Sequence, residues 1–227
     1  MKRFILSAFV ILVSFVCLGQ ETIKFLDIPV DGKKTEVIAK LILKGFQYDR
    51  ANDCLEGVFN GKESTLFIHE NNGKVDRIMV FNVFPIALAK NEFNTLLKQF
   101  QSDEKYVSSA ENSPISEEEN ISYELRVNGK SYNAAFYPDP FVEGGDKGYQ
   151  DYIANTAARL ALEAANDGEL LNPTEERVRS LANVIANSLI IRTSTSLLWF
   201  RLTSLDPGTD CAIYIYYDNL LNQSEEL

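Results

Sequence analysis

The sequence predicts an α+β fold in which antiparallel meander sheets pack against amphipathic helices. Short runs rich in Val, Ile, Leu and Phe are separated by Asn-Gly pairs, which favour two-residue hairpin turns because both turn positions adopt positive φ. Longer stretches carry apolar residues at helical spacing. The order of these segments also allows two related helix-plus-sheet halves, with a pair of helices inserted into the second.

The first half, residues 20–101, is predicted to contain a helix, a three-stranded meander and a second helix that ends near Gln101. In the first helix, at 33–44, the apolar residues fall on one face, and Gly45 occupies the position of a C-terminal cap. The meander strands are predicted at 55–59, 64–70 and 75–82, with turns at Asn60-Gly61 and Asn72-Gly73.

Residues 102–120 are rich in Ser, Glu, Asp and Asn, which predicts a polar connection between the halves. Residues 121–227 are then predicted to form a hairpin around Asn128-Gly129, a helix pair and a C-terminal hairpin. The helices are expected at 151–166 and 174–191, and the last strands at 196–203 and 211–218.

Residues 1–19 have the pattern of a secretory signal peptide. Two basic residues precede an apolar run, Phe4–Leu18, which is shorter than the ~20 residues needed to span a bilayer. We expect cleavage after Gly19, and lipidation at Cys17 is the alternative. The mature protein is therefore expected in the periplasm, at the cell surface or outside the cell, without a membrane span after signal cleavage.

The charge and the motif content narrow the possible functions. The chain has 32 acidic and 22 basic residues, so nucleic acid and anionic membrane surfaces are poor partners for it. It contains no glycine-rich phosphate loop, nucleophile elbow or zincin pattern. We therefore predict no catalytic, cofactor-binding or metal-binding residue. The motif content favours a protein that is not an enzyme.

Several polar features have a chemical and a simpler explanation. The single histidine, His69, could be a general base, but strand alternation predicts an exposed position beside Phe67. The consecutive acids 117–119 could supply glycosidase carboxylates, but a flexible run cannot hold them at a fixed separation. A glycine-rich loop could gather carboxylates around Ca²⁺, although its spacing differs from an EF-hand, through Asp139, Glu143, Asp146 and Asp151.

Aromatic residues give the one candidate binding face. Alternation along the last strand places Tyr214 and Tyr216 on the same side, and Trp199 lies on the preceding strand. Outward-facing rings of this kind could stack on a sugar or anchor a protein partner. Ordinary packing beneath the helix at 151–166 would explain them equally well.

The two cysteines of the mature chain, Cys54 and Cys211, could form a disulfide in an oxidising compartment. Such a bond would tie the first sheet to the last strand. The alternative is that both are small buried hydrophobic residues.

Several segments resemble a family of uncharacterised secreted bacterial proteins. They are 25–32 (Phe-Leu-Asp-Ile-Pro-Val-Asp-Gly), Gly45-Phe46, Phe59-Asn60-Gly61, 74–78 (Lys-Val-Asp-Arg-Ile), 216–219 (Tyr-Tyr-Asp-Asn) and Asn222-Gln223. This resemblance implies export and an unassigned role. The order of a helix and then antiparallel strands is also similar to the modules of β-lactamase-inhibitor proteins and of a lipoprotein in the outer-membrane assembly machinery. Those proteins are binding modules and not enzymes.

We therefore expect an exported envelope protein that acts as a non-catalytic binding or interaction module for a protein or a glycan. One alternative is a hydrolase that acts on glycans or cell-wall material. Another is an assembly factor for an envelope complex. The identity of the partner and the oligomeric state are left open by the sequence.

Overall fold

The computed structural model describes residues 22–142, 146–168, 174–205 and 210–223. The chain divides into two compact units: a sheet unit, built from 22–138 and the segment that follows 194, and a helical unit within 139–194. The predicted signal peptide lies outside the described residues. The α+β prediction is confirmed by a large antiparallel sheet and several helices.

The sheet unit is built on eight antiparallel strands in the order β3-β4-β5-β6-β10-β9-β8-β7. A small hairpin of β1 and β2 stands beside it. The strands are β1 (Lys24–Phe25), β2 (Ile28–Pro29), β3 (Gln47–Asp49), β4 (Cys54–Phe59), β5 (Lys62–Asn71), β6 (Lys74–Pro85), β7 (Tyr106–Ser108), β8 (Tyr132–Pro138), β9 (Ser196–Ser204) and β10 (Asp210–Asn219).

Two halves with the same order of elements share this sheet. Helix α1 (Lys34–Leu43) precedes the meander β3 to β6, and helix α2 (Ala89–Gln101) precedes the meander β7 to β10. The last strand of each half pairs with that of the other, in a register from Asp210 opposite Pro85 to Asp218 opposite Arg77. The two halves are therefore joined edge to edge in one continuous sheet, and α2, which was predicted to end the first half, begins the second.

The predicted hairpin turns and helix cap of the first half are confirmed. Asn60 and Gly61 have φ values of 50° and 75°, and Asn72 and Gly73 have 50° and 76°, as two-residue hairpin turns require. Helix α1 ends in a Schellman motif, in which the backbone N–H groups of the two residues after the cap donate to carbonyls in the last turn. Sequence-local chemistry is sufficient for these features.

The core lies on the face of the sheet against which α1 and α2 pack. In the first half, Phe25 contacts Phe59 with ring centroids 5.1 Å apart, and in the second half Phe93 contacts Phe200 at 5.1 Å. Gly57 belongs to this packing, because a Cβ atom there would lie 2.6 Å from the ring of Phe46. Each half thus supplies its own aromatic cluster to a common core.

The helical unit is a helix pair, as predicted, inserted between β8 and β9. It contains α4 (Lys147–Asn166) and α5 (Glu175–Thr193), which contact each other through the Tyr149 hydroxyl and Thr193 Oγ1 at 2.5 Å. The N-cap of α5 is Thr174, whose Oγ1 accepts from the backbone N–H of Arg177.

The hairpin predicted around Asn128-Gly129 is wrong, because residues 121–126 form helix α3 (Ile121–Arg126). The side chain of Asn120 caps this helix by accepting from the backbone N–H of Tyr123 at 3.1 Å. Burial of Leu125 then fixes its inner face. Strand β8 does form, but it pairs with β9 and β7. A short apolar run fits a helix as well as a strand, so the wrong periodicity was assigned.

The predicted polar connection, residues 102–120, is held against the second half. Asn94 on α2 both donates to and accepts from the backbone of Ile115, at 2.9 and 2.8 Å. Asn112 makes the same pair of bonds with Ala135 on β8, at 2.7 and 2.8 Å. These side-chain amides imitate a strand partner. The boundaries between the two compact units lie at residues 138 and 194, outside this segment.

The candidate disulfide between Cys54 and Cys211 is not formed, and both residues are free and buried. Strands β5 and β6 lie between β4 and β10, so three strand spacings of about 4.8 Å separate the two cysteines. A disulfide needs Cα atoms within ~7 Å. The alternative of two small buried residues is the one found.

Burial should also make both thiols unreactive. It raises the pKa of the Cys211 thiol to about 11 and raises that of Cys54 as well, so less thiolate is present at a given pH. At pH 8 we expect Ellman's reagent to react with Cys211 roughly a hundredfold more slowly than with a cysteine at exposed position 104 (Glu104→Cys). In denaturant without reductant, the thiols of Cys54 and Cys211 should both react with the reagent. If they did not, the two cysteines would be joined in a disulfide after all.

Candidate binding face

The face of the sheet opposite α1 and α2, here called the outer face, carries the candidate residues. Alternation in the register places Tyr214, Tyr216 and Trp199 together on it, on the neighbouring strands β10 and β9. Phe81 of β6 joins them from the other side of β10. All four side chains are partly exposed. The sequence prediction of a common face for the three residues is consistent with this geometry.

These rings form a continuous row, here called the aromatic stack (Phe81, Tyr214, Tyr216 and Trp199). The rings of Trp199 and Tyr216 are nearly parallel, at 13°, with centroids 4.0 Å apart. Tyr214 lies parallel to Tyr216 at 6.2 Å and contacts Phe81 at 5.0 Å. Distances of this kind are typical of attractive ring pairs.

A buried carboxylate, that of Asp218, orients the Trp199 ring of the stack. Asp218, with a side chain 3% exposed, accepts hydrogen bonds from Arg77 Nε at 2.6 Å and Nη2 at 2.9 Å. Its second oxygen also accepts from the indole N–H of Trp199 at 2.9 Å. The hydrogen bond to Asp218 raises the pKa of the Arg77 guanidinium. Both the arginine and the tryptophan are therefore held in one orientation.

The two arginines of the outer face lie against the rings. The Arg77 guanidinium is 5.0 Å from the ring centroid of Tyr216, and the Arg201 guanidinium is 5.7 Å from that of Trp199. Strands β6 and β9 flank β10 on opposite sides, so Arg77 and Trp199 reach Tyr216 from opposite neighbouring strands. These contacts occupy part of the ring surfaces on the outer face.

Sequence reasoning missed Arg77, Asp218, Arg201 and Phe81. Asp218 and Arg201 follow from alternation, since each lies two residues from a predicted member of the face. Arg77 and Phe81 could not be placed, because their positions depend on the pairing of β6 with β10. That pairing joins residues about 140 positions apart in the chain, as the separation of 141 between Arg77 and Asp218 shows.

Four of the segments that carry the sequence resemblance, 25–32, 74–78, 216–219 and 222–223, are joined by hydrogen bonds near the β5–β6 turn. Asn222 donates to Asp31 Oδ1 at 2.9 Å and to the carbonyl of Val75 at 2.8 Å. Asn219 donates to the carbonyl of Val30 at 2.9 Å. The C-terminal tail forms α6 (Leu220–Gln223) at this point. These residues thus have a structural explanation.

His69 makes the one other polar pair of chemical interest. Its Nδ1 lies 2.6 Å from Asp76 Oδ1, with the imidazole 68% exposed and the carboxylate 6% exposed. A register shift after His69 leaves Asp76 without a partner across the ladder and turns it toward the ring. The carboxylate orients the imidazole, but the described residues place no serine or cysteine in hydrogen bond with it. Nucleophilic catalysis by a serine or cysteine would need such a group beside the imidazole.

The other acidic candidates have local structural roles. Asp146 caps α4 by accepting from the backbone N–H of Tyr149, and Asp151 pairs with Lys147. Glu119, the last of the consecutive acids, binds Lys130 and the Tyr132 hydroxyl, and the Lys130 hydrogen bond lowers its pKa. Glu143 lies outside the described residues. Within the described ranges, no group of three His, Cys, Asp or Glu side chains could hold a metal ion.

Comparison of the chain with protein-family models, curated proteins and solved structures gives no match. The resemblances drawn from the sequence therefore stay expectations. No helix in the described part of the chain is long and apolar enough to cross a membrane.

Asp218 should stabilise the fold as well as order the stack. We expect Asp218→Asn to lower the free energy of unfolding by about 2 kcal/mol, because it removes the charged carboxylate to which both Arg77 and Trp199 donate hydrogen bonds. Urea unfolding followed by far-UV circular dichroism measures this change. Glu104→Gln, at an exposed position on the same unit, is the control. Equal stability of the two variants would show that Asp218 is dispensable.

Proposed function

We propose that the protein is an exported, non-catalytic binding module that contacts a protein partner through its outer face. The observation that supports this proposal is the aromatic stack, a row of partly exposed rings held rigid by a buried carboxylate. Rigid aromatic side chains with adjacent arginine are typical of the residues that dominate binding energy at protein interfaces. Exposed Phe67 and Val83 extend the apolar surface on neighbouring strands.

The geometry favours a protein partner over a glycan. A sugar ring stacks on the flat face of an aromatic side chain, so it needs at least one free face. Tyr216 has Trp199 and the Arg77 guanidinium against it, and Trp199 has Tyr216 and the Arg201 guanidinium against it. Exposed ring edges, a hydroxyl group and a guanidinium suit the side chains of a protein better.

The sheet edges offer little alternative surface for a protein partner. The edge strands β3 and β7 each have only three residues, so a partner strand could add few backbone hydrogen bonds there. The broad outer face is therefore the better candidate interface. A role in envelope assembly is one form that such protein binding would take.

Export predicts a specific product. We expect the protein isolated from the cell envelope or the medium to lack residues 1–19, because a signal peptidase would cut after Gly19. Intact-mass spectrometry measures this directly. Acyl chains on a mature terminus at Cys17 would replace cleavage with lipidation, and an uncut chain confined to the cytoplasm would contradict export.

The outer face should determine partner capture. We expect Tyr214→Ala to weaken binding roughly 30-fold, since it removes a central ring whose hydroxyl makes no hydrogen bond among the described residues. Cross-linked capture from envelope extract, quantified by mass spectrometry, tests this. Tyr123→Ala, at an exposed tyrosine on α3, is the matched control.

Proteins retained by the wild-type chain and by Tyr123→Ala, but lost with Tyr214→Ala, would support the proposal. Equal capture by all three chains would contradict it. Release of soluble fragments from purified cell-wall glycan by the wild-type protein would instead favour the hydrolase alternative.

A further inference from the structure

We propose that the partner segment bound at the outer face presents an acidic side chain to Arg201, next to apolar side chains that contact the aromatic stack. The inference rests on the proposed function and adds the chemistry of the partner. It follows from a difference between the two arginines that flank the stack.

Arg77 and Arg201 occupy similar surroundings but differ in their counter-charge. Arg77 is neutralised within the chain, because Asp218 accepts hydrogen bonds from its Nε and Nη2. Arg201 is exposed, and its one hydrogen bond among the described residues runs from Nε to the neutral Asn133 Oδ1 at 2.8 Å. The Nη donors of Arg201 therefore have no acceptor in the described part of the chain.

Two contacts within the chain orient the guanidinium of Arg201. Its Nε is fixed by Asn133 on β8, and its carbon lies over the Trp199 ring. A guanidinium whose plane is already restrained loses less conformational freedom when it binds a planar, two-oxygen acceptor. Asp218, bound by Arg77 and Trp199 together, shows that this face already accommodates one carboxylate.

Charge complementarity identifies the occupant. The chain has a formal net charge of −10, so a cation beside an apolar stack that has no counter-ion among the described residues is a local exception to its surface. A basic segment would meet this cation with repulsion, whereas a carboxylate would pair with it. Tyr214 lies directly opposite Arg201 in the strand register, so apolar groups next to the carboxylate would contact the stack.

The position of Arg201 favours an acidic side chain over a chain terminus. Arg201 lies in the interior of β9, with β10 on one side and β8 on the other. A bound chain can therefore continue past it in both directions. The occupant is an internal segment with Asp or Glu flanked by apolar residues.

A displayed peptide library provides the test, with peptides fused through their C-termini so that no terminal carboxylate is free. Selection uses the full mature wild-type protein and, in parallel, Tyr214→Ala. Enriched peptides are then synthesised with amidated ends. Their affinity is measured by the fluorescence of Trp199, the single tryptophan of the chain, which lies in the stack itself.

We expect enriched peptides to share an acidic residue beside apolar ones. Changing that acid to its amide, or changing Arg201→Gln, should each weaken binding roughly tenfold, and the two changes together should weaken it little further. Arg201→Lys keeps the charge but lacks the planar fork, so it should be intermediate. Arg126→Gln, an exposed arginine on α3, should bind as the wild type does.

Two results would overturn the inference in different ways. Peptides that need Tyr214 but lack an acidic preference, or that bind Arg201→Gln unchanged, would refute the acidic partner and leave the binding face intact. No enrichment on the wild-type protein above Tyr214→Ala would refute the proposed function together with the inference.

Discussion

The pairing of β6 with β10 is the interaction on which the rest of the protein depends. Each half ends in one of these strands, and the register between them runs from Asp210 opposite Pro85 to Asp218 opposite Arg77. This pairing turns two four-stranded meanders into one eight-stranded sheet and lets both halves contribute to one core. It also brings the Arg77 guanidinium over a ring of the opposite half, so the contacts of Arg77 and Phe81 on the outer face depend on it.

Asp218 links this architecture to the surface. A buried carboxylate is costly unless nearby donors satisfy it, and here an arginine from the first half and a tryptophan from the second both do so. One side chain therefore joins strands β6, β10 and β9 on the outer face. The same contacts align the indole with Tyr216, and the two rings stack on each other. The outer face thus carries an aromatic row beside Arg201, whose guanidinium has no counter-ion among the described residues.

The inserted helix pair and the C-terminal tail show how the second half extends the common plan. The chain leaves the sheet after β8, forms α4 and α5, and returns as β9 next to β8. The tail then turns back to the first half, where Asn219 and Asn222 bind backbone carbonyls of Val30 and Val75. Segments far apart in the chain thereby close one end of the sheet, since buried backbone groups need partners.

The sequence by itself determined the features that depend on neighbouring residues. Asn-Gly turns, the glycine cap of α1 and the alternation that puts Tyr214 beside Tyr216 are local, so composition and spacing were enough to predict them. Local reasoning failed at 121–126, where a short apolar run fits either periodicity, and at Cys54 and Cys211, whose separation depends on strand order. Only the tertiary structure decided that order and the contacts of Arg77 with Asp218. Long-range register is set by packing of the whole sheet, so the residues next to Arg77 or Asp218 in the sequence do not indicate it.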